Sequence, residues 1–272
     1  MNWRGVRALV RKDLKVVMQN KGVSIPLIVV PVIVFVVVPA LVALLPRLFG
    51  AMGAPTQDIE ELLTMAAPPL REALSHYSPE QAGVVFMLAY VMAPLFLIVP
   101  LMVANVIAAD SFVGERERKT LEALLHTPLT DGELMVGKML SAWLPAVAVS
   151  WLGFVVYGVT ANLAAWPVMG RVFFPTPMWI VLALWVAPAA AGLGLVAMIL
   201  VSARAKTFQE AYQLGGVVVL PVILLVIGQI SGVVYLSVGV ALALGLGLWV
   251  VDGVLLRLGA RNFHRNELIA RL

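Results

Sequence analysis

Residues 211–251 read AYQLGGVVVLPVILLVIGQISGVVYLSVGVALALGLGLWVV, forty-one residues between Glu210 and Asp252 without a charged side chain. A helix that crosses a lipid bilayer needs about 20 predominantly apolar residues, so this run is long enough for two crossings. About a quarter of the residues of an ordinary soluble domain are charged, and no globular core requires an uncharged run of this length. The run therefore predicts a membrane protein.

Other parts of the chain repeat this pattern, because uncharged stretches also cover residues 22–46, 81–109, 139–170 and 172–203. The chain has 272 residues, of which 61% are hydrophobic and 12% are charged. These features predict an all-α polytopic membrane protein with six transmembrane helices. We place the spans at about 23–46, 83–109, 139–163, 177–201, 212–230 and 232–256.

The distribution of lysine and arginine predicts the orientation of the chain. Sixteen of the 19 lie in four connecting segments, 1–22, 110–138, 202–211 and 257–272. The remaining three lie in the opposite segments 47–82 and 164–176, and the short turn near residue 230 carries none. Because positive charge stays on the cytoplasmic side, we expect both termini in the cytoplasm and the chain in the cytoplasmic (inner) membrane.

Residues 2–20 have the period of an amphipathic helix. Apolar side chains recur at spacings of three and four at Trp3, Val6, Val10, Leu14 and Val17. Basic side chains follow the same spacing on a neighbouring face at Arg4, Arg7, Arg11 and Lys15. We expect an interfacial helix on the inner membrane surface with its basic side toward anionic headgroups. The alternative is a basic flank that only sets the topology.

The largest predicted cytoplasmic connection, residues 110–138, reads DSFVGERERKTLEALLHTPLTDGELMVGK. Its charged residues are concentrated in a short predicted helix over 115–126, which Pro128 stops because proline cannot continue the hydrogen-bond ladder. Thr130 and Glu133 have the spacing of a capping box and predict the start of the next helix. A short, charged helix between spans two and three suits docking to a cytoplasmic partner.

This segment resembles a known family. Residues 115–129, ERERKTLEALLHTPL, followed by Glu133 and Gly137-Lys138, are similar to the signature of ABC-2-type transporter permeases, the membrane subunits of ABC exporters such as sodium-efflux and drug-resistance systems. The resemblance covers the whole chain as a single transmembrane domain. It comprises an interfacial helix at 1–22, six spans within 23–256 and a cytoplasmic tail at 257–272.

In that family the segment between spans two and three is a coupling helix, which fits a cleft on the ATPase subunit. The resemblance implies coupling residues in this chain at Glu115, Glu117, Arg118, Thr120, Leu121, Glu122, Leu125, Thr127 and Pro128. Many members of the family have glycine where this chain has Lys119. The membrane-interface residues are expected to be Trp3, Arg4, Arg7, Arg11 and Lys15.

The string Gly132 to Lys138, GELMVGK, matches the first seven positions of a phosphate-binding P-loop. The next residue is Met139 instead of the Ser or Thr that holds magnesium, and no strand precedes the string. We therefore expect no ATPase site, catalytic residue, cofactor or metal in this chain, with ATP and Mg bound by a partner. The expected partners are two copies of a cytoplasmic ABC ATPase, a second permease copy or a paralogue that forms a dimer with this chain, and the lipid bilayer, but no nucleic acid.

Three other classes of function compete with an exporter permease. A self-powered transporter needs buried charges near mid-membrane, whereas Asp110 and Asp252 are predicted at the membrane interface. An intramembrane protease needs a His-containing dyad or metal site, and the predicted spans contain no histidine. A non-transporting membrane anchor or assembly platform would share the docking helix and stays open.

Overall fold

The computed structural model describes residues 1–51, 68–120 and 129–261. In this part of the chain there are six helices long and apolar enough to cross a membrane, and no strand. The six spans run Lys21–Leu44, Pro79–Glu117, Asp131–Met169, Pro177–Ser202, Phe208–Ile230 and Val238–Arg257. Two further helices are present, the N-terminal helix Trp3–Gln19 and a short outer helix Pro68–Leu74.

The observed spans differ from the predicted ones mainly at their ends. The second span does not stop at residue 109 but continues to Glu117, and the third begins at Asp131, so each is 39 residues long. The sixth span begins at Val238, not at 232, because the Ser237 hydroxyl accepts a hydrogen bond from the Val240 N–H and caps that helix. Extra turns of helix therefore extend the second and third spans beyond the predicted membrane region.

Three spans contain a widened, π-helical turn just before a proline. These turns are Ile33–Val37 before Pro39, Phe86–Val91 before Pro94 and Leu182–Val186 before Pro188. Proline has no N–H to donate and its ring displaces the preceding turn, so the ladder shifts to longer-range bonds there. These prolines therefore contribute to the three turns, whereas Pro145 and Pro167 lie in a continuous α-helix.

Side chains from neighbouring spans donate hydrogen bonds to main-chain carbonyl groups near these turns. In the second span, the Leu88 carbonyl accepts from the Tyr157 hydroxyl at 2.6 Å, and the Ala89 carbonyl accepts from the Trp179 indole N–H at 2.7 Å. Buried carbonyls need such partners because lipid offers none. The irregular turns are therefore fixed by contacts between spans.

The second and fourth spans form the centre of the bundle. Of their most apolar windows, 78% and 67% respectively are buried, against 17% in the fifth and sixth spans. The two central helices pack directly on each other, and Gly194 of the fourth span lies against the main-chain carbonyl of Leu101 in the second. The fifth and sixth spans expose broad apolar faces, as expected for helices surrounded by lipid.

The connecting segments are sorted to the two ends of the bundle. Segments 1–22, 110–138 and 202–211 contact one another through several hydrogen bonds. At the other end, the Gln81 side chain donates to the carbonyl of Val168 at 3.1 Å. We call the end that carries the three basic segments the inner end; its cytoplasmic placement is the prediction from charge counting.

Candidate coupling site at the inner end of the bundle

The segment predicted as a separate coupling helix begins as the end of the second span. The span passes through a π-helical turn, Asp110–Gly114, and one more helical turn, Glu115–Glu117, before the chain leaves the helix. The predicted start of a separate helix at residue 115 was therefore wrong, because residues 115–117 continue the span; the part of the predicted helix at 121–126 lies outside the described residues. The predicted coupling residues Leu121, Glu122, Leu125, Thr127 and Pro128 lie outside the described residues.

Lys119 ends the helix with left-handed backbone geometry. Its φ is 57°, and it is the one residue other than glycine with a positive φ in the described part of the chain. Such a conformation favours glycine because a side chain crowds the following carbonyl. The family resemblance places glycine at this position in many members, so the local backbone explains that preference.

Glu115 forms the centre of a buried ion pair. Glu115 is only 3% exposed. One of its carboxylate oxygens accepts a hydrogen bond from the Lys138 ammonium at 2.5 Å. Lys138, on the third span, is 1% exposed. The second carboxylate oxygen pairs with Lys12 of the N-terminal helix. Glu115 therefore does not present its carboxylate at the surface as predicted, because both oxygens are engaged inside the chain.

A second buried acid extends this network. Asp13 accepts hydrogen bonds from the hydroxyls of Ser111 at 3.1 Å and Ser141 at 3.0 Å. Lys12 lies 3.1 Å from the other Asp13 oxygen. We call Lys12, Asp13, Ser111, Glu115, Lys138 and Ser141 the buried polar network. It joins the N-terminal helix to both the second and third spans.

The charge on Lys12 is maintained by its two acidic neighbours. Partial burial lowers the pKa of the Lys12 ammonium, but hydrogen bonding and charge attraction from Glu115 and Asp13 outweigh it, so the pKa is raised above its usual value. Lys12 is therefore cationic at neutral pH. Two lysines and two acids balance each other in the network, which is the condition for keeping charges buried.

Arg116 and Glu117, just beyond the network, contact the connection between spans four and five. Glu117 accepts from the backbone N–H of Phe208 at 2.8 Å, at the start of the fifth span. Arg116 donates to the carbonyls of Ser202, at 3.3 Å, and Ala205. The end of the second span is thereby tied to the connection between spans four and five.

Asp110 is also paired, at a buried position within the second span. Its Oδ1 accepts from Arg118 at 2.9 Å and from the Asn20 amide at 3.1 Å. The prediction that Asp110 lies at the membrane interface is refined by this geometry, since the carboxylate is covered by protein. Of the predicted coupling residues that are described, Glu117, Arg118 and Thr120 remain exposed.

The helix that contains the third span begins at the predicted capping box. The Thr130 hydroxyl accepts from the Glu133 N–H, and the Glu133 carboxylate accepts from the Thr130 N–H at 3.0 Å, which is the predicted capping box. Glu133 also accepts from the backbone N–H of Asn2 at 2.5 Å. The P-loop-like string 132–138 is part of this continuous helix. Its Lys138 donates a hydrogen bond to Glu115.

The N-terminal helix packs on the third span through a face rotated from the predicted one. Its buried side chains are Val6, Leu9, Asp13 and Val17. Leu9 covers Gly137, where an added Cβ would meet the Leu9 methyl at 2.6 Å. Trp3 of the predicted apolar face is 62% exposed. The prediction assigned this face to lipid, whereas part of it is used for packing inside the chain.

The basic residues of this helix point outward. Those predicted at the membrane interface are all exposed, namely Arg4, Arg7, Arg11 and Lys15. Sequence reasoning did not find the buried polar network, although one signal was available: Asp13 lies on the apolar face of an otherwise basic helix. Ser111, Lys138 and Ser141 offered no signal of this kind, because their burial depends on how three separate segments meet.

Comparison with known families gives one match. The model of the ABC-2 family transporter protein matches residues 7–261, nearly the entire chain. Searches of curated proteins and of solved structures give no match. The matched region includes the N-terminal helix from residue 7 onward, all six spans and the whole buried polar network.

Proposed function

Because the chain belongs to the ABC-2 family of transporter proteins, we propose that it is the permease subunit of an ABC exporter driven by a separate cytoplasmic ATPase. The family and the six apolar helices make it an integral membrane protein and an ABC transporter permease. The export direction and the ATPase are the proposed part. The exporter is then a dimer of this chain, or a pair with a paralogue, with two ATPase copies that bind ATP and Mg.

The proposed docking surface is the segment that follows the second span. Glu117, Arg118 and Thr120 are exposed at the inner end and lead into residues 121–128. Within this segment, the family resemblance assigns to ATPase contact Glu117, Arg118, Thr120, Leu121, Glu122, Leu125, Thr127 and Pro128. Glu115 lies beneath this surface and supports it from inside.

The observation that carries the proposal is the Glu115–Lys138 pair. A push on the docking surface acts on the last turn of the second span, which includes Glu115. The ion pair is buried, so separating it would leave an uncompensated charge in a low-dielectric site at a cost of about 3–5 kcal/mol. The second span, third span and N-terminal helix therefore move together when the ATPase closes.

The N-terminal helix is proposed to lie on the inner membrane surface. Its exposed row of Arg4, Arg7, Arg11 and Lys15 faces away from the bundle. Each basic side chain near an anionic membrane surface contributes about 1 kcal/mol of attraction. The headgroups would hold the helix while the buried polar network connects it to the spans.

The test is co-purification with the ATPase encoded nearest this gene. The double variant Leu121→Asp, Glu122→Arg should lose the ATPase while the native chain retains it, because the variant reverses charge and polarity on the docking surface. The matched control is Val172→Asp, Glu72→Arg, which makes the same changes on exposed residues at the outer end. Retention by the docking variant, or loss by the control, would overturn the proposed docking surface.

A second measurement separates an exporter from an assembly platform. The complex is reconstituted in proteoliposomes with either the native chain or Lys138→Met. The variant should still bind the ATPase, but the rate of ATP hydrolysis should no longer respond to the permease. A platform has no spans to drive, so ATP hydrolysis would be the same with the native chain and the variant. That equality would overturn the exporter.

A further inference from the structure

The sixth span contains an acidic side chain without a partner. Asp252 is only 2% exposed, and neither of its carboxylate oxygens has a hydrogen-bond partner among the described residues. The sequence predicted this residue at the inner membrane interface. The structure corrects that prediction, because Asp252 faces the fourth span inside the bundle.

The depth of Asp252 follows from its contact with Gly192. A methyl group added at Gly192 would collide with a carboxylate oxygen of Asp252, so the glycine provides the space that the carboxyl group occupies. Gly192 lies ten residues from the end of the fourth span at Ser202. Ten residues of helix measure about 15 Å, half of a hydrocarbon core of about 30 Å. On its own helix, Asp252 lies five residues, about 8 Å, from the end of the sixth span at Arg257. The two helices therefore place the carboxyl group about 8–15 Å from the inner end of the bundle, within the membrane-spanning part.

Among the side chains that the structure describes on the fourth and sixth spans, no charged group faces this carboxyl group. The fourth span, the main neighbour of the sixth, has no ionisable side chain anywhere in residues 177–202. On the sixth span itself, Arg257 is exposed and lies five residues away, on a different side of the helix. Trp249, one turn before Asp252, has a buried indole N–H that also lacks a partner in the described part of the chain.

An ionised carboxylate is not stable in such a place by itself. A buried charge is neutralised, paired or bound to a cation. Ca²⁺ and Mg²⁺ take about six or more oxygen ligands, and the described residues contain no group of three or more His, Cys, Asp or Glu that could hold a metal. The residues around Gly192 are alanine, glycine, leucine and valine. A proton needs no further ligand and fits the site.

We propose that Asp252 is a reversible proton-binding site within the membrane. Its carboxyl group carries a proton when the fourth and sixth spans are packed as observed. When these spans separate and water reaches the carboxyl group, the O–H bond breaks and the proton passes to water; repacking takes a proton back. Proton occupancy and packing of the two spans are then linked, and each biases the other.

The direct test is infrared spectroscopy of the purified full-length chain in lipid nanodiscs, with aspartate labelled by carbon-13. The native chain should show the carbonyl stretch of a protonated aspartic acid at neutral pH and lose it reversibly as the pH is raised. Asp252→Asn, which has nearly the same shape, should lack this band. Absence of the band in the native chain, or a band that does not change with pH, would overturn the proposal.

A second pair of variants tests the link to packing. Gly192→Ala should shift the band and its titration midpoint, since the added methyl displaces the carboxyl group. Gly253→Ala is the matched control, because an added methyl there meets nothing within 4 Å. Equal titration midpoints in the two variants would contradict the link. None of these measurements needs the ATPase, so their outcome is independent of the proposed exporter function.

Discussion

Glu115 is shared by two lysines in different surroundings. The side chain of Lys138 is 1% exposed, whereas that of Lys12 is 40% exposed. Desolvating Lys138 is costly, and its hydrogen bonds to Glu115 and to Ser111 offset that cost only if all of them are made. We therefore expect removal of Lys138 to lower the free energy of unfolding more than removal of Lys12.

We expect Lys138→Met to lower the free energy of unfolding by about 3 kcal/mol, near the lower end of the range for broken buried pairs because Lys12 still faces Glu115. The double variant Glu115→Gln, Lys138→Met removes both charges and should recover most of this loss. Unfolding by SDS in mixed micelles measures both effects.

The control for this cycle is Lys15→Met, which removes an exposed lysine of the N-terminal helix. It should change the free energy of unfolding by less than about 0.5 kcal/mol. If the two single changes at Glu115 and Lys138 were simply additive, the ion pair would not be coupled and the interpretation would fail.

Lys119→Gly should raise the free energy of unfolding by up to about 1 kcal/mol, since glycine removes the crowding of a left-handed residue but gains freedom in the unfolded chain. Lys119→Ala is the control: it removes the same charge and keeps the crowding, so it should give no gain. A gain with alanine equal to that with glycine would assign the effect to charge instead of backbone geometry. Thermal unfolding of the purified variants measures the difference.

At the scale of the helices, close packing depends on a few small residues. Gly194→Ala should destabilise the chain strongly, because its methyl group would meet the main-chain carbonyl of Leu101, which has no side-chain rotamer to change. Gly247→Ala makes the same change of helix propensity where an added methyl meets nothing within 4 Å. Yield and monodispersity in size-exclusion chromatography compare the two. Similar profiles would show that the second and fourth spans have room to separate.

The number of spans and the start of the third helix could be predicted because apolar length and capping chemistry are local properties of the sequence. The inner end of the second span could not be predicted, since Asp110 and Glu115 resemble residues at a water interface. Both residues remain helical because their carboxylates have partners inside the chain. Asp110 is paired with Arg118 and Asn20. Glu115 is paired with Lys138 and Lys12. Contacts between distant segments of this kind leave no local pattern.

At the scale of the whole molecule, the predicted orientation is open to a direct experiment because the chain has no cysteine. Single cysteines at Thr120, at the inner end, and at Ser231, at the outer end, occupy exposed positions. An impermeant maleimide should label Ser231→Cys in intact cells and Thr120→Cys only after the membrane is opened. The reverse pattern would invert the topology.

The docking of the N-terminal helix also sets an order of events during synthesis. Asp13 and Ser141 are 128 residues apart in the chain. At about 5–20 residues per second, roughly 6–26 s pass between their synthesis. Until Ser111, Glu115, Lys138 and Ser141 have been made, Lys12 and Asp13 have only each other as partners in this network. A nascent chain arrested before the third span would therefore lack Lys138, Ser141 and the surface at Gly137 on which the N-terminal helix packs.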